Sequence, residues 1–234
     1  MRGLPLQALS TGALVLWATE WSGERTLTRA DAFAHHELVA RLCDGTACLP
    51  VRFGTWLADE AAARRSLDAG GPGFVAALER VGQRQEVALT LLWREAPTVA
   101  GRGRAPAPPG GGGSGTGRAF LVSRRDAQHA SDERREAAEA LAGRLADELA
   151  TDRADVRHES CPSAEVAVSM SLLAPRGGAD ALKARAVAAV ADLALVRGVV
   201  SGPWPPYSFS GDLAGSLGSV GSVGSADGGR AGGS

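Results

Sequence analysis

The histidines and cysteines are the residues of this chain whose types and spacing could support chemistry. His35 and His36 precede Cys43 and Cys48, and imidazole and thiolate ligands at close spacing are typical of zinc sites. The spacing argues against a metal, because adjacent histidines on a helix point about 100° apart and the two cysteines lie across a predicted helix end. We therefore predict no metal site, and a role for Cys43 as a small buried apolar residue.

A nucleophile paired with a base is the second possibility, and it would use Cys161 with His129 or His158. His158 and Cys161 lie beside Pro162 in a short polar stretch, which predicts a turn between strands where polar residues need no catalytic role. No glycine turn that could form an oxyanion hole adjoins Cys161. The sequence thus predicts no catalytic residue, no cofactor and no enzymatic activity.

Composition narrows the classes of function further. The chain has 234 residues, enough for one large or two small domains, and a formal net charge of −1. This balance gives no field that attracts nucleic acid or an anionic membrane surface, and no run reaches the roughly 18 to 20 apolar residues that cross a bilayer. Three cysteines are an odd number and too few for a disulfide framework, which indicates a reducing, cytoplasmic location.

The N-terminal part of the sequence predicts a mixture of strands and helices. The apolar run 13–17 is suited to a buried strand. Thr28, followed three residues later by Asp31, is an acidic variant of the capping box and predicts the start of a helix. Two more helices are expected at 58–67 and 74–81, separated by the Gly-Gly-Pro-Gly sequence at 70–73.

The first domain is expected to comprise residues 1–95, because apolar residues alternate over 87–93 and predict a closing strand. Residues 96–117 are rich in glycine and proline and cannot bury enough apolar surface to offset their ordering entropy, so they are predicted to be a flexible linker. The second domain, 118–210, opens with the apolar run 119–122 and continues with helical and alternating patterns. Residues 211–234 are too poor in hydrophobic side chains to fold and are predicted to be a disordered tail.

The segment 202–209 combines three prolines with three aromatic residues. Each proline fixes φ and removes a backbone donor, and Trp204 precedes a proline, which favours extended backbone. We expect a stiff, polyproline-like rod from which the rings project. Such rings are favoured anchors of interfaces, although they could equally pack the chain end onto the first domain.

Arg52 and Phe53 follow Pro50 closely, and an arginine between apolar neighbours needs a partner if it is buried. That partner would be either a carboxylate in a structural salt bridge or another protein. The candidates for partner binding or domain coupling are therefore Arg52, Phe53, Trp204, Pro205, Pro206, Tyr207 and Phe209.

Three blocks of the sequence resemble the gas vesicle synthesis protein F/L family. Gly-Pro-Trp-Pro-Pro-Tyr-Ser-Phe at 202–209 is similar to the signature near the family's C-terminal end, and Leu-Pro-Val-Arg-Phe-Gly-Thr at 49–55 is similar to an earlier block. His35-His36-Glu37 precedes the earlier block by the spacing that the family shows. The chain departs from the family pattern in containing no asparagine, where the family commonly has one before the strand matched at 166–172.

The resemblance implies an α+β fold of two small sheet-and-helix domains, partly ferredoxin-like. It also implies an accessory protein of gas vesicle assembly, one that binds the small hydrophobic shell protein, works with other vesicle accessory proteins, and assists nucleation or early formation of the wall. A shell subunit that polymerises through apolar surfaces needs a partner that covers an edge or face until it is added, and an open sheet edge can do this by strand addition. The alternative is a ferredoxin-like regulatory module that senses a small molecule.

Overall fold

The computed structural model describes residues 5–21, 27–94, 115–150, 152 and 155–211. These residues combine helices with two antiparallel sheets, so the fold is α+β as predicted. They form two compact units, the first drawn from Met1–Gly82 and Phe209–Ser234 and the second from Gln83–Ser208. Within the described ranges, no helix has the length and apolar character needed to span a membrane.

The first unit consists of a β-hairpin and two helices. Strand β1 (Leu6–Thr11) pairs antiparallel with β2 (Leu14–Thr19), and helices α1 (Arg29–Leu42) and α2 (Glu60–Val81) follow. Its core is formed by apolar residues of β2 and α2, namely Leu14, Leu67 and Phe74.

Helix α1 begins with the predicted capping box. The Thr28 hydroxyl accepts from the backbone N–H of Asp31 at 3.2 Å, and the Asp31 carboxylate accepts from the backbone N–H of Thr28 at 3.1 Å. Both bonds satisfy N–H groups that the first helical turn leaves without partners. This local prediction is confirmed.

Helix α2 is continuous, so the prediction of two separate helices was wrong. Pro72 lies inside the helix, and the buried positions on both sides of it are Ala63, Leu67, Phe74, Ala77 and Val81. Proline removes one backbone hydrogen bond, but this apolar stripe is buried along the whole length and outweighs that loss. Gly70 is needed for packing, because a Cβ there would lie 2.4 Å from the Phe74 ring.

The second unit is a four-stranded antiparallel sheet with two helices. Its strands lie in the order β4-β5-β3-β6, and the chain passes through them as β-α-β-β-α-β, the ferredoxin-like topology. The elements are β3 (Gln85–Trp93), α3 (Gly115–Leu149), β4 (Val156–Ser160), β5 (Val166–Ala174), α4 (Ala179–Ala191) and β6 (Val196–Trp204).

One face of this sheet packs on α3 and α4 and forms the main core. Val87, Leu89 and Leu91 of β3 are fully buried on that face, as the period-two pattern predicts. Gly198 of β6 allows α4 to approach closely, because a Cβ there would lie 2.4 Å from a methyl carbon of Val190. The alternate residues of the strands therefore form the opposite face.

The bounds of the two compact units differ from the domain bounds predicted from the sequence. The second unit begins at Gln83, so β3 is a central strand of the second sheet instead of closing the first domain. Helix α3 begins at Gly115 and contains the apolar run 119–122, while 96–114 of the predicted linker lie outside the described residues. Residues 212–234 of the predicted tail also lie outside them.

Candidate functional site

The segment rich in proline and aromatic residues is the end of β6 followed by a short turn. Pro203 and Trp204 are the last residues of β6, and Tyr207–Phe209 form a 3-10 helix, so the prediction of a polyproline-like rod was wrong. Strand β6 is an edge strand, where proline is tolerated because one side of the strand makes no ladder bonds. Of the aromatic rings expected to project, Phe209 is buried, and Pro205 and Pro206 are buried as well.

A β-bulge bends β6 where the segment begins. Ala88 pairs with Ser201 and Glu86 pairs with Trp204. Between these two pairs β3 has one residue and β6 has two, so β6 carries the extra residue of the bulge. Gly202 occupies the bulge with φ of 113°, and a Cβ there would lie 2.7 Å from the Glu86 carbonyl oxygen. Only glycine fits both the dihedral angle and the close approach.

The carboxylate of Glu86 holds the turn that follows the bulge. One oxygen accepts from the backbone N–H of Ser208 at 2.9 Å, and the other accepts from the Ser208 and Ser171 hydroxyls, both at 2.7 Å. Glu86 is only 5 % exposed, so these bonds satisfy a carboxylate that would otherwise be costly to bury. We call Glu86, Ser171 and Ser208 the Glu86 cluster.

Apolar side chains are exposed along β6, on the edge of the sheet. Trp204 is 40 % exposed, and its indole N–H donates to the Ser201 hydroxyl at 3.2 Å. Leu195, just before the strand, and Val199 within it are also exposed. We call Leu195, Val199, Trp204 and the outer backbone of β6 the β6 edge, since among the described strands β6 pairs with β3 alone.

The block at 49–55 lies in the first unit and is held by α1. The His35 imidazole is 3.0 Å from the Val51 carbonyl oxygen, and its ring lies 5.5 Å from that of Phe53. Arg52 is exposed, which removes the alternative of a salt bridge inside a domain core. Its carbonyl oxygen accepts from the Thr55 hydroxyl at 2.8 Å, which closes the turn.

The candidate catalytic side chains of the second unit each contact another group. The Cys161 thiol is 3.9 Å from the Arg134 carbonyl oxygen, whereas the exposed His158 faces Glu139 at 3.9 Å. Among the described residues, no three potential ligands of the His, Cys, Asp and Glu types are grouped closely enough to hold a metal ion.

Sequence reasoning selected Trp204, Pro205, Pro206, Tyr207 and Phe209 but missed the residues that position them. The sequence did not single out Glu86, because its hydrogen-bond partners lie far along the chain, Ser171 in β5 and Ser208 in the turn after β6. The only indication in the sequence was that Glu86, a charged residue, directly precedes the predicted strand at 87–93.

Comparison with known proteins agrees with this architecture. The family model described as gas vesicle synthesis protein GvpL/GvpF matches residues 1–211. Gas vesicle protein L of Streptomyces sp. (strain CB03234) is 29 % identical over 191 residues, which cover 77 % of this chain and 68 % of that protein.

Two crystal structures share the fold at low sequence identity. GvpF from Anabaena sp. PCC7120 superimposes with a TM-score of 0.64 at 14 % identity, over 90 % of this chain and 87 % of that one. GvpF from Microcystis aeruginosa superimposes with a TM-score of 0.62 at 12 % identity, over 90 % of each chain. Because the family model matches nearly the whole chain, this protein belongs to the gas vesicle synthesis protein GvpL/GvpF family.

Proposed function

We propose that this member of the gas vesicle family binds the hydrophobic shell protein along the β6 edge and assists nucleation or early formation of the vesicle wall. The observation that carries the proposal is the exposure of Trp204 at an open sheet edge, next to the exposed Val199. An edge strand offers unpaired backbone groups to an incoming strand, and flanking apolar side chains add contact area.

The Glu86 cluster supports this proposal by fixing the end of the edge. Glu86 pairs with Trp204 across β3 and β6, and its carboxylate holds Ser208 four residues further on. The backbone on both sides of the indole is thus restrained before a partner arrives. A restrained anchor loses less conformational entropy on binding than a mobile one.

The test is the affinity of the full chain for immobilised shell protein, compared with that of Trp204→Ala. Loss of an interface anchor should weaken binding by about 2 kcal/mol, roughly thirtyfold in Kd. The matched control is Trp17→Ala, because Trp17 on β2 is 48 % exposed and lies in the other unit.

A second variant tests the edge without removing a ring. Val199→Lys places a charge on the exposed strand, which should oppose strand addition while leaving the fold intact. Unchanged affinity in both Trp204→Ala and Val199→Lys, with their folds retained, would place shell-protein binding elsewhere. Loss of affinity in Trp17→Ala alone would show that the shell protein binds to the first unit instead of the β6 edge.

A further inference from the structure

Helix α4 exposes apolar side chains on the side opposite α3. Val187 is 55 % exposed, and Ala184 and Ala191, one turn before and after it, are exposed as well. Arg185 donates to the Glu148 carbonyl oxygen of α3 at 2.6 Å. Because two positions on a helix are about 200° apart, Val187 points away from α3. We call Ala184, Val187 and Ala191 the α4 stripe.

The α4 stripe lies next to the β6 edge. Helix α4 packs on β6, whereas α3 packs on β4 and β5 at the other end of the sheet. The side of α4 that points away from α3 therefore faces outward past β6. Leu195, in the turn between α4 and β6, is 64 % exposed and joins the two surfaces. A continuous exposed apolar surface of this kind is typical of a protein interface.

The backbone groups of β6 that point out of the sheet belong to alternate residues. The N–H of Arg94 donates to the Leu195 carbonyl oxygen at 3.0 Å. In an antiparallel ladder the residues bonded to one neighbour alternate, so Arg197 and Val199 also bond β3. The N–H and C=O groups that face outward are consequently those of the intervening residues, Val196, Gly198 and Val200.

These outward groups are symmetrical about Gly198. A second β6, related by a two-fold axis through Gly198, would pair Val196 with Val200 in both directions, and every outward group would find a partner. The bulge at Gly202 and the missing N–H of Pro203 end the ladder beyond this window, which limits the register. A contact of this symmetry closes on itself and yields a dimer instead of a fibre.

The same axis brings opposite charges together. Val190 packs on Gly198, so the axis passes close to Val190. Lys183 lies about 10 Å before Val190 along the helix, and the turn that follows Asp192 lies about 10 Å from Gly198 in the opposite direction. Rotation by 180° therefore places Lys183 of one copy beside Asp192 of the other.

The C-terminal end of α4 is suited to receive a cation. The exposed Asp192 caps this end, and the last turn of α4, which the structure describes in full, carries no basic residue. A carboxylate at the negative end of a helix is unfavourable without a cation nearby. Lys183 is the only lysine in the sequence and lies 3.7 Å from Asp180 of its own helix. A second copy would supply the cation that the C-terminal end lacks.

The opposite edge of the sheet has a different character. Strand β4 exposes three consecutive polar residues, Arg157, His158 and Glu159. Charged side chains on an edge strand oppose the addition of another strand. The apolar surface at β6 is therefore the edge of this sheet that accepts a partner strand.

We propose that the protein forms a two-fold symmetric homodimer, in which the β6 strands of two copies pair about Gly198 and their α4 stripes pack together. Lys183 of each copy then contacts Asp192 of the other. The dimer covers the β6 edge, so a second copy and the shell protein compete for it. Dimerisation itself requires no shell protein, and its test is independent of the proposed function.

The first experiment is sedimentation equilibrium of the full chain over a range of concentrations. We expect a monomer–dimer equilibrium without larger species. Val187→Lys places two charges near the axis and should raise the dimer Kd about tenfold or more. The matched control is Val15→Lys, because Val15 is 52 % exposed on β2 of the first unit, and its Kd should equal that of the wild type.

A charge swap tests the orientation of the two copies. Lys183→Glu and Asp192→Lys should each raise the dimer Kd, because each places like charges together across the axis. The double variant carries the same pair in reverse and should restore the Kd of the wild type. Thermal melts of all three variants verify that they fold.

Cross-linking with a carbodiimide, which joins an amine directly to a carboxylate, locates the contact. Lys183 and Asp192 of one chain are nine residues apart, about 14 Å along the helix axis, so a direct link between them joins two copies. A mixture of unlabelled and nitrogen-15-labelled protein should yield this link with mixed labels. The link from Lys183 to Asp180 forms within one chain and is the internal control.

Three results would overturn the proposal. They are a monomer at all concentrations, a series of oligomers beyond the dimer, and a double variant that dimerises no better than the single variants. If the chain is monomeric and Val187→Lys weakens binding to immobilised shell protein, the α4 stripe belongs to the shell-protein surface. The homodimer is then excluded, whereas the proposed function still stands.

Discussion

Both carboxylate oxygens of Glu86 accept hydrogen bonds from Ser208, a residue 122 positions further along the chain. Strand β3, the first strand of the second unit, thereby fixes the turn that follows β6, the last strand of the same unit. Since Glu86 also pairs with Trp204, one residue determines both the backbone position of the exposed indole and the course of the chain beyond it.

Replacing Glu86 should loosen this turn. Glu86→Gln keeps the size of the side chain but offers an amide N–H to groups that also donate, so we expect a loss of about 1 to 3 kcal/mol in the free energy of unfolding. Urea denaturation measures this loss. Glu159→Gln is the control, because Glu159 is exposed on β4, and it should change stability by less than about 0.5 kcal/mol. Equal stabilities of the two variants would show that the Glu86 cluster contributes little.

Two aromatic residues of the same segment should behave in opposite ways. Phe209 is 1 % exposed, so Phe209→Ala should cost about 3 to 5 kcal/mol in the free energy of unfolding. Trp204 is 40 % exposed, and Trp204→Ala should cost roughly half as much or less, because much of its ring already contacts water. Thermal melts of both variants measure the difference. A larger loss for Trp204 would contradict its assignment as a surface anchor.

The contact between β6 and α4 predicts a non-additive pair. Gly198→Ala places a methyl group 2.4 Å from the nearest Val190 methyl carbon and should destabilise the protein by about 1 to 3 kcal/mol. Val190→Ala removes that methyl carbon, although its own Cβ would still lie 2.9 Å away, so relief is partial. The double variant should lose less stability than the sum of the two single losses, which a double-mutant cycle measures. Strict additivity would mean that the helix moves freely away from the strand.

Two glycines of α2 should respond differently to alanine. A Cβ at Gly73 would meet nothing within 4 Å outside its chain neighbours, so Gly73→Ala should raise stability by about 0.5 to 1 kcal/mol through helix propensity. At Gly70 the new Cβ would lie 2.4 Å from the Phe74 ring, and this clash should cancel or reverse the gain. Melting temperatures of the two variants provide the measurement. A gain at both positions would mean that Phe74 moves aside without cost.

The free, half-buried thiols of Cys43 and Cys48 predict a pH dependence. Because a hydrogen bond with the Cys43 thiol lowers the pKa of the Cys48 thiol, alkylation of Cys48 should begin at lower pH in the wild type than in a variant without that donor. Cys43→Ala removes the donor and should move the Cys48 profile to higher pH, whereas Cys43→Ser retains a donor and should move it less. Alkylation rates of Cys48 across a pH series, measured in the tryptic peptide 42–52 that follows cleavage after Arg41 and Arg52, report these shifts. A Cys48 profile that is identical in the wild type and in Cys43→Ala would exclude the thiol bond as the cause.

The parts of the fold that sequence predicted correctly depend on nearby residues. The capping box joins Thr28 to Asp31 within one helical turn, and the alternation in β3 specifies which side chains face the core. Local rules failed at Pro72, because the preference of Gly-Gly-Pro-Gly for a turn is weaker than the burial of an apolar stripe on both sides of it.

These local rules could not predict which strands pair with each other. The pattern at 87–93 identifies a strand but not its neighbours, which are residues 166–174 and 196–204. The position of the candidate site follows from this pairing, because Glu86 lies opposite Trp204 only when β3 and β6 adopt the observed register with its bulge. The aromatic composition of the segment thus drew attention to the right region, whereas the geometry of that region required the sheet.

The grouping of Phe209 with Met1–Gly82 makes the first unit discontinuous in sequence. A ribosome that synthesises 5 to 20 residues per second adds the intervening stretch, residues 83–208, over roughly 6 to 25 s. The first unit therefore waits for its last residues while the second unit is being made, and its hairpin and helices must persist without them during that interval. Premature termination shortly before Phe209 would consequently leave the earliest part of the chain incomplete as well as the latest.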